Sequence, residues 1–121
     1  MAPDRARVFY VEDDADSLSV GREFLEIGGH EVVDTAMSLK EALQKIPDLD
    51  KKGVNVAVVD GNLSQNFSDG IDGGMVTMEI KAQHPNIKVV GHSLESDVEG
   101  ADLNSWKVRG GTNLAKTVKK V

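Results

Sequence analysis

Short apolar runs alternate with helix-spaced apolar positions along the chain. Residues 8–11 form an apolar run that stops at Glu12-Asp13-Asp14, which predicts a buried strand with acids at its end. Leu18, Gly21 and Leu25, with Val20, Phe24 and Ile27, recur at helical spacing up to Gly28-Gly29, a pair suited to closing a helix. Residues 30–36 predict a second strand. Ser38-Leu39-Lys40-Glu41 has the form of a capping box, and Leu39, Ala42, Leu43 and Ile46 then share one face until Pro47, which is expected to stop the helix. Residues 54–59 are the strongest strand, almost wholly apolar and ending at Asp60. A polar, glycine-rich stretch over 61–73 reads as a long loop, with Gly70 to Gly74 as a turn, and residues 75–83 as a helix closed by His84-Pro85. Residues 87–90 predict a fourth strand leading to Gly91-His92-Ser93, 103–108 a weak fifth, and 113–121 a last helix.

Strands that are apolar on both faces and alternate with helices predict a parallel sheet covered on both sides. Ligands in such folds bind at the carboxyl ends of the strands, near the point where strand order reverses. Here Glu12 and Asp13 follow the first strand, Asp60 the third and Ser93 the fourth, with Lys107 near the end of the fifth. Three carboxylates gathered there repel one another, and a hard divalent cation such as Mg2+ relieves the repulsion because it prefers oxygen ligands. Cation, ammonium and hydroxyl together suit three phosphoryl oxygens, with Asp60 placed to attack phosphorus.

Composition narrows the classes. The 121 residues carry 40% hydrophobic positions, enough for one core, and the whole of 1–121 is expected to be a single domain. There is no cysteine, which excludes a disulfide framework, thiolate metal sites and cysteine catalysis and suits a cytoplasmic location. No apolar run reaches the length of a membrane span, and no signal-peptide stretch is expected at the N-terminus. The net charge of −6 argues against direct nucleic-acid binding. Charge is uneven: residues 107–121 hold five basic groups and no acid, which reads as a basic last helix against an acidic body. His30, His84 and His92 share no ligand spacing, and His92 reads as space filling.

Phe-Tyr-Val-Glu12-Asp13-Asp14, Val-Ala-Val-Val-Asp60-Gly-Asn62, Val-Val-Gly-His-Ser93 and Gly100-Ala101-Asp102 leading to Lys107, taken in this order, resemble the receiver domain of two-component response regulators. The resemblance spans residues 6 to 121. It implies a flavodoxin-like, doubly wound, five-stranded parallel sheet of order 2-1-3-4-5. It also implies phosphorelay signalling, with Asp60 as acceptor of a phosphoryl group from a sensor histidine kinase or phosphotransfer protein. Asp13 would bind Mg2+ directly, Glu12 mainly through a water, and the main-chain carbonyl of Asn62 would be a further ligand. Ser93 would bond a phosphoryl oxygen and Lys107 would pair with the carboxylate and then the phosphoryl group. Any enzymatic activity would be limited to self-phosphorylation and self-dephosphorylation at Asp60. An output protein or effector domain, unidentified, would read the switched state.

Four departures from the family pattern qualify this. Ser64 stands where a proline is usual, and 65–72 looks like an insertion over the acceptor. Only thirteen residues separate Ser93 from Lys107, without an apolar helical pattern, so the fourth helix is expected to be absent or reduced to a turn. The aromatic switch position is Asn104, with Trp106 two residues on and on the same strand face; Trp106 reads as cover for the missing helix. Leu94 and Val108 replace the usual small residue and proline. The alternative reading is an unphosphorylated pseudo-receiver used as a protein-interaction module. A dehalogenase-type phosphatase would want an acid at position 62, where the chain has asparagine, and a P-loop would need a glycine-rich turn straight after a strand.

Overall fold

A computed structural model of the chain describes residues 6–60, 71–93 and 101–106. Five parallel strands, β1 (Arg7–Val11), β2 (Glu31–Ala36), β3 (Val56–Asp60), β4 (Lys88–Ser93) and β5 (Leu103–Trp106), form one sheet in the order β2-β1-β3-β4-β5. This is the expected α/β architecture and strand order. Helices α1 (Ala15–Ile27), α2 (Leu39–Lys45) and α3 (Ile71–Gln83) join the strands. Strand order reverses between β1 and β3, so their carboxyl ends flank the crevice where such sheets take ligands.

The period-two pattern of the strands splits the core in two. Phe9, Val11, Ala57, Val59 and Val89 point to one face and pack with Ala42 and Ile46 of the α2 region and with Val76 and Ile80 of α3. Val8, Tyr10, Val56, Val58 and Val90 point to the other, against Leu25 and Leu18 of α1. All five residues of β3 are buried, as a central parallel strand requires. Tyr10 fits only because α1 offers a glycine opposite it: a Cβ on Gly21 would lie 2.2 Å from the Tyr10 hydroxyl oxygen.

Local signals set the helix ends. Asp14 caps α1 by accepting from the Ser17 amide at 3.2 Å and its hydroxyl at 2.6 Å. Gly29, at φ +96°, turns the chain out of α1 as the Gly-Gly pair predicts. The Ser38 hydroxyl accepts from the Glu41 amide at 3.0 Å while Glu41 accepts from the Met37 amide at 2.8 Å, completing the box that starts α2. The α-helix ends at Lys45, ahead of Pro47 as expected. The chain runs on through a 3-10 turn over Ile46–Asp48, because proline is tolerated at the start of a helical turn, where its missing N–H is not needed. Helix α3 begins at Ile71, so the expected loop ends earlier and Gly73-Gly74 is helical rather than a turn. Burial of Val76 and Ile80 against the sheet outweighs the poor helix propensity of the two glycines.

The edge of the sheet at the strands' amino ends is closed by hydrogen bonds. Arg7 accepts at its carbonyl from the Asn55 amide and donates from its amide to the Asn55 side chain. Its guanidinium reaches Glu31 at 3.0 Å and the Lys52 carbonyl at 2.8 Å. His30 and His84 belong to this end: His30 Nδ1 accepts from the Ala6 amide, and His84 Nε2 meets the Ile46 carbonyl at 2.7 Å. Past β4, Asp102 is paired to the strand from both sides of its own residue. Its amide donates to the Val89 carbonyl, its carboxylate accepts from the Val89 amide at 2.8 Å, and Lys81 of α3 closes on the same oxygen at 2.6 Å. Ala101 and Asp102 are non-helical; the rest of the fourth-helix expectation, and the last helix, fall on 94–100 and 113–121, outside the described residues.

Candidate functional site

At the carboxyl ends of β1 and β3 the sheet carries acids. β1 and β3 pair in register from Val8 with Val56 to Val11 with Val59, so Glu12 comes level with Asp60. The Glu12 amide is fixed by the Ala36 carbonyl at 2.9 Å, which ties the acidic turn to the end of β2. One carboxylate oxygen each from Glu12, Asp13 and Asp60 lie within 4.8 Å of one another. Glu12 and Asp60 are each only 1% exposed, whereas Asp13 is half-buried. The acidic pocket that the strand ends predicted is therefore assembled from these three residues.

Two buried acids and a third beside them form an arrangement that carboxylates adopt at a cost unless a cation balances it. The donor set is oxygen only, and its span suits one small hard cation, whose opposite ligand oxygens lie about 4 Å apart. Asp14, next in sequence, serves as the α1 cap, is exposed and lies outside the three-acid group. A cleft of about 350 Å³ at the other end of the sheet, between Asp50 and Pro85, holds no comparable group of acids.

Tyr10 lies beneath the acids on the same strand face as Glu12. Burial, and then the negative charges of Glu12 and Asp60, push its phenol far above the ordinary tyrosine range, so it remains a neutral hydroxyl. That hydroxyl is buried and has no hydrogen-bond partner among the described residues. Residue-by-residue reading singled out neither Tyr10 nor its Gly21 notch, although an aromatic two residues before the acid pair was visible as a large residue on a core-facing position.

Ser93 ends β4, its Cα paired with that of Trp106, which brings β5 beside the hydroxyl-bearing position. Asn104 pairs with Gly91. His92 pairs with Asp60 across β3 and β4 and is 7% exposed, which places it at the strand end beside the acids. Asn62, Ser64, Leu94, Lys107 and Val108, and the 65–72 insertion apart from its last two residues, lie outside the described residues.

The chain matches the response regulator receiver domain over residues 8–119 and belongs to that family. Solved structures share the fold. A receiver domain protein from Methanospirillum hungatei JF-1 is 22% identical with a TM-score of 0.76, covering 96% of this chain and 92% of its own. A LuxR-family two-component response regulator from Aurantimonas sp. SI85-9A1 is 18% identical with a TM-score of 0.78, covering 96% and 84%. The BeF3-activated DrrB receiver domain is 24% identical with a TM-score of 0.71, covering 96% of each chain. No curated protein matches the chain.

Proposed function

We propose that the chain, as a single domain over 1–121, is a phosphorylatable receiver that takes a phosphoryl group on Asp60 from the phosphohistidine of a sensor kinase or phosphotransfer protein. The observation that carries this reading is the grouping of the Glu12, Asp13 and Asp60 carboxylates at the strand-order reversal. A surface acid would do for solubility; two acids at 1% exposure beside a third support the reading of a site for a cation and an anionic substrate.

Glu12, Asp13, Asp60 and the Asn62 carbonyl would hold Mg2+, which supplies charge neutralisation for the phosphoryl oxygens. Asp60 then offers a carboxylate oxygen to phosphorus; the bond from phosphorus to the donor imidazole nitrogen breaks, and its electron pair leaves with the imidazole. The Ser93 hydroxyl is assigned to one phosphoryl oxygen and the Lys107 ammonium to another. Hydrolysis returns Asp60 to a carboxylate, so the chain is a switch with a self-limiting reaction rather than a turnover enzyme. The state of Asp60 would be read by an output protein or effector domain, in the cytoplasm, without direct contact to nucleic acid.

The test is intact-mass analysis after incubation with acetyl phosphate and Mg2+. One added phosphate in the wild type and none in Asp60→Asn supports the reading. No adduct from acetyl phosphate or from a phosphorylated histidine kinase, together with no Mg2+ binding, overturns it.

A further inference from the structure

Register places a polar row across the acid end of the sheet. Glu12 comes level with Asp60, Asp60 pairs with His92, and His92 pairs with Ser105. The row two residues back on the same strand face, Tyr10, Val58 and Val90, packs under α1 in the core. Lateral neighbours in a sheet point to the same side with strands about 4.8 Å apart, so Asp60 and His92 send their side chains off the same face of adjacent strands. An apolar side chain could also fill this place. Valine serves the equivalent position at Val90, where it is fully buried, and placing an imidazole at 7% exposure carries a desolvation cost that valine avoids.

We propose that His92 is a positioning residue that acts through Asp60: an imidazole N–H donates to the Asp60 carboxyl oxygen and shortens the life of the aspartyl phosphate. This rests on the reading of Asp60 as the acceptor. In hydrolysis a water oxygen bonds to phosphorus, the bond from phosphorus to the Asp60 oxygen breaks, and its electron pair stays on the carboxylate while the proton of the water leaves to solvent. Negative charge thus grows on Asp60 in the transition state, and a donor already aimed there stabilises it more than it stabilises the acyl phosphate. A neutral imidazole suffices, in the tautomer that carries its N–H on the nitrogen facing Asp60.

The test follows phosphate loss by intact mass in the full chain, loaded with acetyl phosphate and Mg2+ and then stripped of donor. His92→Leu fills the place with a side chain of similar size and removes the donor; its phosphate is expected to last about tenfold longer, less than the roughly hundredfold or more that loss of one oxyanion-hole donor costs. Asn or Gln at the same position restores an N–H, and at least one of the two should return the lifetime to within about threefold of wild type. A His92→Leu lifetime equal to wild type overturns the proposal, as does a long lifetime that neither amide shortens. If the leucine variant does not fold, 15N signals of the three imidazoles in the wild type decide: the His92 signal must move on addition of beryllofluoride with Mg2+, and an unmoved signal overturns the proposal. Wild type that takes phosphate while His92 proves indifferent removes only this inference. Wild type that takes none removes the acceptor reading and this inference with it.

Discussion

Gly21 and Tyr10 occupy complementary shapes: the position of a Cβ on Gly21 lies 2.2 Å from the Tyr10 hydroxyl oxygen and 2.7 and 2.8 Å from two ring carbons. Tyr10 is fully buried and cannot retreat. Alanine at position 21 would gain about 1 kcal/mol of helix propensity, yet the overlap forces α1 or the ring to shift. Gly21→Ala is expected to lower stability by about 2 kcal/mol net, read from urea unfolding. In a Tyr10→Leu background the same change should cost much less, and equal cost in both backgrounds would show that the two residues do not meet.

The Tyr10 hydroxyl also yields a prediction of opposite sign. A buried hydroxyl without a partner among the described residues carries its desolvation cost unrewarded. Tyr10→Phe keeps the ring and should leave stability unchanged or raise it by up to about 1 kcal/mol. A loss of more than about 1 kcal/mol in thermal or urea unfolding would mean that the hydroxyl holds something in place.

Relief of repulsion should be visible at the acids. Asp60→Asn removes one of two charges that are each 1% exposed, and the metal-free protein is expected to gain about 1–2 kcal/mol. Mg2+ should stabilise the wild type, by about 2.7 kcal/mol at a hundredfold excess over its dissociation constant, and the variant far less. Calorimetric melting with and without Mg2+, with Ca2+-free buffer and matched ionic strength, reads both effects. A variant less stable than wild type, with the same Mg2+ response, would contradict the placement of charge.

Acid should weaken the fold through groups far from the pocket. Burial pushes the Asp102 carboxyl up, but the Lys81 ammonium and the Val89 amide outweigh it and leave it below the ordinary aspartate range. Asp34 is lowered in the same way against its own burial, by Lys52, Lys45 and the Thr35 amide; Glu41 is lowered chiefly by the Met37 amide and then by Lys45. Each folded-state value lies below the unfolded one, so the stabilisation is present above the ordinary carboxylate range and is lost as pH falls through it. At the basic end Lys45, raised by Asp34 and Glu41 over the opposing effect of burial, contributes below the ordinary lysine range and loses its contribution as pH rises beyond it. Asp102→Asn should therefore flatten the acid limb of a stability–pH curve; an unchanged limb would dismiss the Lys81–Asp102 pair as a contributor.

Much of the architecture was legible because a parallel strand buried on both faces writes itself as an apolar run, and Val58-Val59-Asp60 marks both the strand and its end. The acids of the pocket followed from the rule that such sheets bind at their carboxyl ends. Gly73-Gly74 misled because local propensity favours a turn, while the packing that makes them helical comes from Val76 and Ile80 further along. The tie of Lys81 to Asp102 joins residues whose proximity depends on how β5 is laid beside β4, and no local pattern carries that. The pairing of Asp60 with His92 was hidden for the same reason: it is a property of register between strands.

The Arg7 contacts give the sheet a further property. One edge is tied by Arg7 to Asn55, Glu31 and the Lys52 carbonyl, with the Asn55 carbonyl in turn accepting from the Lys88 amide, while the opposite edge carries like charges. Strands so joined keep their register like pages bound at a spine. With the strands also paired up to Val11 and Val59 and to Asp60 and His92, a change of charge between Glu12 and Asp60 has to be taken up by side chains and by the turns that follow the strands, not by sliding of one strand past another.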